Sequence, residues 1–151
     1  SNMSIFYVTN KKPLSHNRNG SNERYKNEFR DEFNNKYSML YENLPIEKDK
    51  LQSSIVYIHQ LRPGNIPDVD NLSKPIVDTF TNIMYKDDSQ IIKRTATILE
   101  LKDFDFITVD ATNMPNEIYE DFNTYRENGE KNIILFEVNK MTLSAITIGE
   151  F

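Results

Sequence analysis

Pro67-Asp68-Val69-Asp70-Asn71-Leu72-Ser73-Lys74 is answered further along by a second acidic pair, Asp87-Asp88. Between them Leu72, Ile76, Phe80, Ile83 and Met84 recur at i, i+4, i+8 and i+11. That spacing predicts a helix with one face turned to a core. The acidic groups then flank the two ends of one short buried helix. Asp68 and Asp70 sit two apart, so in extended backbone they project from the same side. Carboxylates gathered at one place repel unless something positive lies between them. Lys74 alone cannot neutralise four of them, whereas divalent cations can. Hard oxygen ligands suit Mg²⁺ or Mn²⁺ rather than zinc. The plainer reading is that these residues are N-caps and turn formers around an ordinary helix, where Asp and Asn are common.

Working outward, Ser53 to Leu61 carries Ile55, Val56, Tyr57 and Ile58 with no polar face, as expected of a central strand. It feeds a turn, Arg62-Pro63-Gly64-Asn65-Ile66-Pro67, that delivers Asp68 and Asp70. His59 shares the phase of Ile55, Tyr57 and Leu61, so it reads as a satisfied histidine of the sheet rather than a ligand. On the other side, Ile91 to Leu101 reads as a strand beginning directly after Asp88, with Lys93 and Arg94 as charges in reach of a polyanion.

Ser4 to Thr9 reads as a first strand. The loop after it, through Lys11, Lys12, Asn17, Arg18 and on to Arg24, is the most basic part of the chain and a candidate for phosphate contacts. Ser21 suits an N-cap, and Tyr25, Phe29, Phe33, Tyr37, Leu40 and Tyr41 form a stripe at helical spacing. Such a stripe is a packed face before it is a base-stacking platform. Beyond residue 102, Phe104 to Val109 suggests a short strand. Asn113 to Asn128 suggests a helix stopped by Gly129. Lys131 to Val138 and Met141 to Ile148 suggest a hairpin.

The chain has 151 residues, no Cys, and a net charge of -5. That is enough for one domain with a real core, and it excludes thiolate metal sites and disulfides. No apolar run is long enough to span a membrane and no signal-peptide pattern opens the chain, so the cytoplasm is the expected location. Ser1-Asn2 ahead of Met3 looks like the scar of a cleaved tag. An acidic chain is not a generic nucleic-acid binder. Two divalent cations would bring -5 to -1, with the whole correction at the site.

Asp68-Val69-Asp70-Asn71-Leu72-Ser73-Lys74, then Asp78, then Asp87-Asp88-Ser89-Gln90, resembles the signature of the RusA Holliday junction resolvases: D-x-D-N-L-x-K, an Asp four residues after the Lys, and D-D-x-Q. Pro13-x-Ser15-x-Asn17 is similar to that family's N-terminal element. The resemblance runs over roughly residues 4 to 101. It implies an α+β domain with a mixed β-sheet packed against two helices, here with an extra C-terminal helix and hairpin. Residues 3–102 would form the nuclease core and 103–151 an extension packed on the same domain.

The resemblance further implies a Mg²⁺-dependent (or Mn²⁺-dependent) endodeoxyribonuclease. It would resolve four-way DNA junctions in recombination and repair, as a homodimer, often as a prophage product. Carried onto this chain, Asp68, Asp70, Asp87 and Asp88 are the metal ligands, with Asp70 bridging and Asp87 peripheral. Asp68, Asp70, Lys74 and Asp88 are the catalytic set. Lys74 stabilises phosphate charge, Asn71 orients a carboxylate or caps the helix, and Asp78 holds Lys74. Lys11, Lys12, Asn17, Arg18 and Arg62 are the expected DNA contacts. Only Arg62 stands where the family carries several arginines before the first Asp. That departure and the acidic charge favour an alternative, a non-catalytic branched-DNA-binding or protein-interaction module of the same fold. A third possibility is a metal-dependent nuclease preferring flaps or other branched DNA.

Overall fold

The structure is a computed structural model that describes residues 4–13, 21–61 and 66–149. Among the described residues four strands form one mixed sheet: β1 (Ile5–Thr9), β2 (Leu51–His59), β3 (Ile91–Glu100) and β4 (Asn132–Lys140). Three α-helices among the described residues accompany them, α1 (Ser21–Lys36), α2 (Val69–Thr79) and α3 (Asn116–Glu127). The fold is α+β, as expected. The order across the sheet is β1-β4-β2-β3, with β4 antiparallel to both β1 and β2 and β3 parallel to β2. β2 is an inner strand, in keeping with its continuous apolar run.

The centre of the core is aromatic. Phe80, at the C-terminal end of α2, lies 5.2 Å from Tyr7, 5.6 Å from Phe33 and 5.6 Å from Phe136, ring centre to ring centre. These rings come from α2, β1, α1 and β4, so one residue ties four elements together. Phe29, Phe33 and Tyr37 are fully buried, and the α1 stripe is therefore a packed face. The edge strand β1 is shielded locally: Phe6 N–H donates to the Tyr41 hydroxyl at 2.8 Å. His59 is buried in the sheet, and its Nδ1 accepts the Leu61 N–H at 3.2 Å.

Three expectations are corrected. The helix after Asp68 ends at Thr79 and does not run on through Ile83 and Met84. Asn82 takes a left-handed φ of 67°, and its N–H donates to the Tyr85 carbonyl at 2.7 Å to close a turn. Phe104 to Val109 forms no strand and pairs with none among the described residues. Its alternation is real, since Ile107 and Val109 pack on the core and Phe104 and Phe106 face out. Alternation reports which side is buried and not whether a neighbouring strand is available. The C-terminal hairpin does not form either. β4 has β1 on one side and β2 on the other, so neither of its edges is open to a returning strand. Residues 142–149 lie exposed instead, after a half-buried Met141 whose N–H donates to the Lys50 carbonyl at 3.2 Å. They are tethered where Thr142 N–H donates to Gln52 Oε1 and Lys93 Nζ donates to the Thr142 carbonyl.

Candidate active site

The topology brings the two acidic stretches to one helix but to its opposite ends. α2 starts after β2, and its first turn carries Asp68 and Asp70. The chain then turns through 80–87 and enters β3 behind Asp88. Asp68 is the N-cap: its Oδ1 accepts the Asn71 N–H at 2.9 Å. Asn71 thus receives the cap through its main chain. Asp70 stands exposed in the first turn.

Asp70, Lys74 and Asp78 follow at i, i+4 and i+8, on one face of α2. The expected ion pair is present, with Lys74 Nζ 3.4 Å from Asp78 Oδ2. Asp70 and Asp78 are therefore two turns apart, roughly 12 Å along the axis, and Lys74 stands between them. Asp88 meets this face at its C-terminal end. Its carboxyl lies against that of Asp78, which with partial burial and the nearby Asp87 holds Asp88 above the usual carboxylate range. Lys74 opposes that shift. The second oxygen of Asp78, Oδ1, is buried without a hydrogen-bond partner. Two ionised carboxylates have no proton to share, so the pair is satisfied only by protonation or by a cation.

Asp87 is turned to a different task. Its Oδ2 accepts the Ser89 hydroxyl, and its N–H donates to Gln90 Oε1 at 2.9 Å. Gln90 is buried, and its Nε2 donates to the carbonyls of Ile46 and Asp49 at 3.2 and 3.1 Å. The glutamine of D-D-x-Q is therefore a staple that fixes the acidic turn against residues 46–49. Gln90→Ala removes three hydrogen bonds to main-chain groups, of which only the Ile46 carbonyl keeps another partner, the Lys86 N–H at 2.9 Å, at a cost of about 2–3 kcal/mol. The expected result is a melting temperature lower by about 5–10 °C, read by thermal denaturation; an unshifted melt would show that the staple carries no strain.

The four aspartates read from the sequence as one ligand set are thus not gathered into one cluster. Among the described residues no three His, Asp or Glu side chains converge into a ready metal cage. The groups placed together are Lys74, Asp78 and Asp88, with Asp70 one turn away. Asp78 comes forward as more than a clamp on the lysine. Its i+4 spacing from Lys74 was visible in the sequence, whereas its contact with Asp88 depends on the 80–87 turn. Of the expected DNA contacts, Lys11 and Lys12 follow β1, at the sheet end where β2 also finishes. Asn17, Arg18 and Arg62 lie outside the described residues. No described helix is long and apolar enough to cross a membrane.

The family model for endodeoxyribonuclease RusA matches residues 8–105, well over half of the chain and every element that carries these side chains. The chain belongs to the RusA family. No curated protein matches it. Membership makes it an enzyme of the endodeoxyribonuclease class, and the matched span ends before α3 and β4 begin. The inner strand β4 thus comes from outside the span that carries the RusA signature.

Proposed function

We propose that this RusA-family chain is a divalent-cation-dependent endonuclease that resolves four-way DNA junctions by paired phosphodiester hydrolysis, serving recombination and repair. The observation that carries the metal is Asp78 Oδ1, a buried acidic oxygen with no partner, on a carboxylate that lies against a second one, Asp88. The donors are all oxygens, which fits Mg²⁺ or Mn²⁺. Asp78 and Asp88 would hold the ion directly, with Asp70 and the free oxygen of Asp68 reaching it through bound water from the first turn of α2. When bound, the cation lowers the pKa of its water and relieves charge on the attacking and leaving oxygens.

The chain's own side chains do the rest. Lys74 is held by Asp78 on a solvent-facing turn, where its ammonium can meet the charge that grows on the phosphate. Asp68 fixes the start of α2 and hence the position of Asp70. Asp87 and Gln90 hold the turn that presents Asp88. Symmetric incision of a junction needs two active sites, which a twofold homodimer supplies.

The test is cleavage of a labelled four-way junction beside linear duplex of the same sequence, with Mg²⁺, Mn²⁺ or EDTA. Paired nicks that need the metal and the junction support the reading. Junction binding with no cleavage under any metal would replace it with a binding module.

The same site predicts a trade between activity and stability. Asp88 binds its proton more tightly in the folded chain than in the unfolded one. Its contribution to stability is therefore present at low pH and lost as pH rises through its raised folded pKa. Asp88→Asn removes that repulsion. In EDTA near pH 7 it is expected to melt about 1–3 °C higher than wild type, while losing cleavage. An equal or lower melting temperature would mean that Lys74 already balances the pair.

A further inference from the structure

A cationic group that the RusA signature does not contain faces the same helix. Along β3 the register against β2 slips by one residue, from Leu51–Ile91 to Gln52–Lys93, leaving Ile92 unpaired. Irregularities of this kind re-aim side chains beside functional sites. Here the slip puts Arg94 opposite Ser53 and Ala96 opposite Ile55. Ser53 and Ile55 point into the core, so Arg94 and Ala96 lie on the face that α2 covers. Without the slip Arg94 would project from the opposite side of the sheet. The small side chain of Ala96 leaves open a cleft of 380 Å³ lined by Val69, Asp70, Ser73, Lys74, Arg94 and Ala96.

Three features of this cleft point to an oxyanion. Its lining holds two cations from two different elements and one carboxylate, Asp70. Among the described residues, Arg94 has no carboxylate within ion-pair distance. Ser73 is only 7% exposed, and its hydroxyl is buried with no hydrogen-bond partner. An unsatisfied buried hydroxyl costs about 1–3 kcal/mol, and a ligand oxygen in the cleft would remove that cost. A second metal ion does not suit the place, since Lys74 and Arg94 would both repel it. A guanidinium matches two oxygens of one phosphate in a way that a lysine cannot.

We propose that this cleft is a phosphate subsite of the enzyme, gripping a DNA backbone phosphate between Arg94 on β3 and Lys74 and Ser73 on α2. Arg94 is then a substrate-positioning residue supplied by the strand after Asp88. It does part of the work expected of the arginines that are missing before Asp68. The proposal rests on the endonuclease reading, and its test separates the two.

Junction binding is measured by fluorescence anisotropy in Ca²⁺ over a salt series, for wild type, Arg94→Ala, Arg94→Lys and Ser73→Ala, with thermal melts as the folding control. Arg94→Ala is expected to weaken binding about tenfold and to flatten the slope of log K against log salt by about 1. Arg94→Lys restores the slope without restoring the full affinity, and Ser73→Ala weakens binding with the slope unchanged. A purely structural Arg94 would leave the slope alone. Unchanged affinity and slope in Arg94→Ala would overturn the subsite while leaving the endonuclease reading intact. If wild type binds no junction, the endonuclease reading fails and the subsite is judged separately. A dinucleotide phosphodiester is then titrated while the Arg94 Nε–Hε signal is followed by NMR. A saturable shift supports the subsite, and a static signal overturns it.

Discussion

Asp70→Asn is expected to lower the rate of junction cleavage by at least about 10³-fold, with melting temperature unchanged. The size follows from the role. An amide has about the same shape as the carboxylate but no charge, so it can neither attract a divalent cation nor orient the water shell through which the cation would be reached. Loss of charge stabilisation worth about 4 kcal/mol is a thousandfold in rate. The unchanged stability follows from position. Asp70 is exposed in the first turn of α2 and makes no ion pair among the described residues. Its one structural benefit is a negative charge near the helix N-terminus, worth a few tenths of a kcal/mol at an exposed site. Junction binding without metal should be equal or slightly tighter, because a charge that repels DNA is gone. Cleavage within tenfold of wild type would remove Asp70 from the site and leave Asp78 and Asp88 as its acidic members. The measurement is single-turnover cleavage at saturating Mg²⁺, so that a weakened metal affinity is not mistaken for slow chemistry.

The local half of this site was legible because helical spacing is local. Asp70, Lys74 and Asp78 share a face by arithmetic alone, and the observed 3.4 Å pair follows from it. The long-range half was not. Whether Asp88 meets Asp70 or Asp78 depends on where α2 stops, and that is set by Asn82 and Tyr85 closing a turn, which apolar spacing through Met84 conceals. Arg94 was hidden for a related reason. Simple alternation puts Arg94 on the opposite side of β3 from Ile91, and only the slip at Ile92 turns it toward the helix. The same limit governs the fold. Each strand was visible through its own residues, but the neighbours of a strand are a property of two distant segments. The tail beyond Lys140 is strand-like in composition and finds no partner strand among the described residues, because β4 is already flanked on both sides.

That placement of β4 carries the second large expectation: a chain ending at residue 102, which keeps nearly all of the RusA-matched span, does not fold. Among the described residues β4 is the only strand that pairs with β1, so without it β1 loses its described ladder and β2 loses one of its two neighbours. Ile118 and Phe122 of α3 go too, with Ile133, Ile134, Phe136 and Val138 of β4, all of them buried. At about 1.5–3 kcal/mol for each side chain, the loss is on the order of 10 kcal/mol, comparable with the whole stability of a domain this size. Phe80 would lose the stacked ring of Phe136 and Tyr37 the carboxylate of Asp121 that its hydroxyl meets at 2.5 Å. The contrasting chain ends at Lys140 and lacks only the exposed tail. It should keep a cooperative melt within a few degrees of the full chain, since the tail's described anchors are the Met141 N–H on the Lys50 carbonyl, the two hydrogen bonds at Thr142 and a weaker contact of the Thr142 hydroxyl with Gln52. Circular dichroism and differential scanning calorimetry of the three chains decide the matter. A cooperative transition in the 102-residue chain would show that the signature-bearing segment is a folding unit by itself, with α3 and β4 added to a sheet that closes without them.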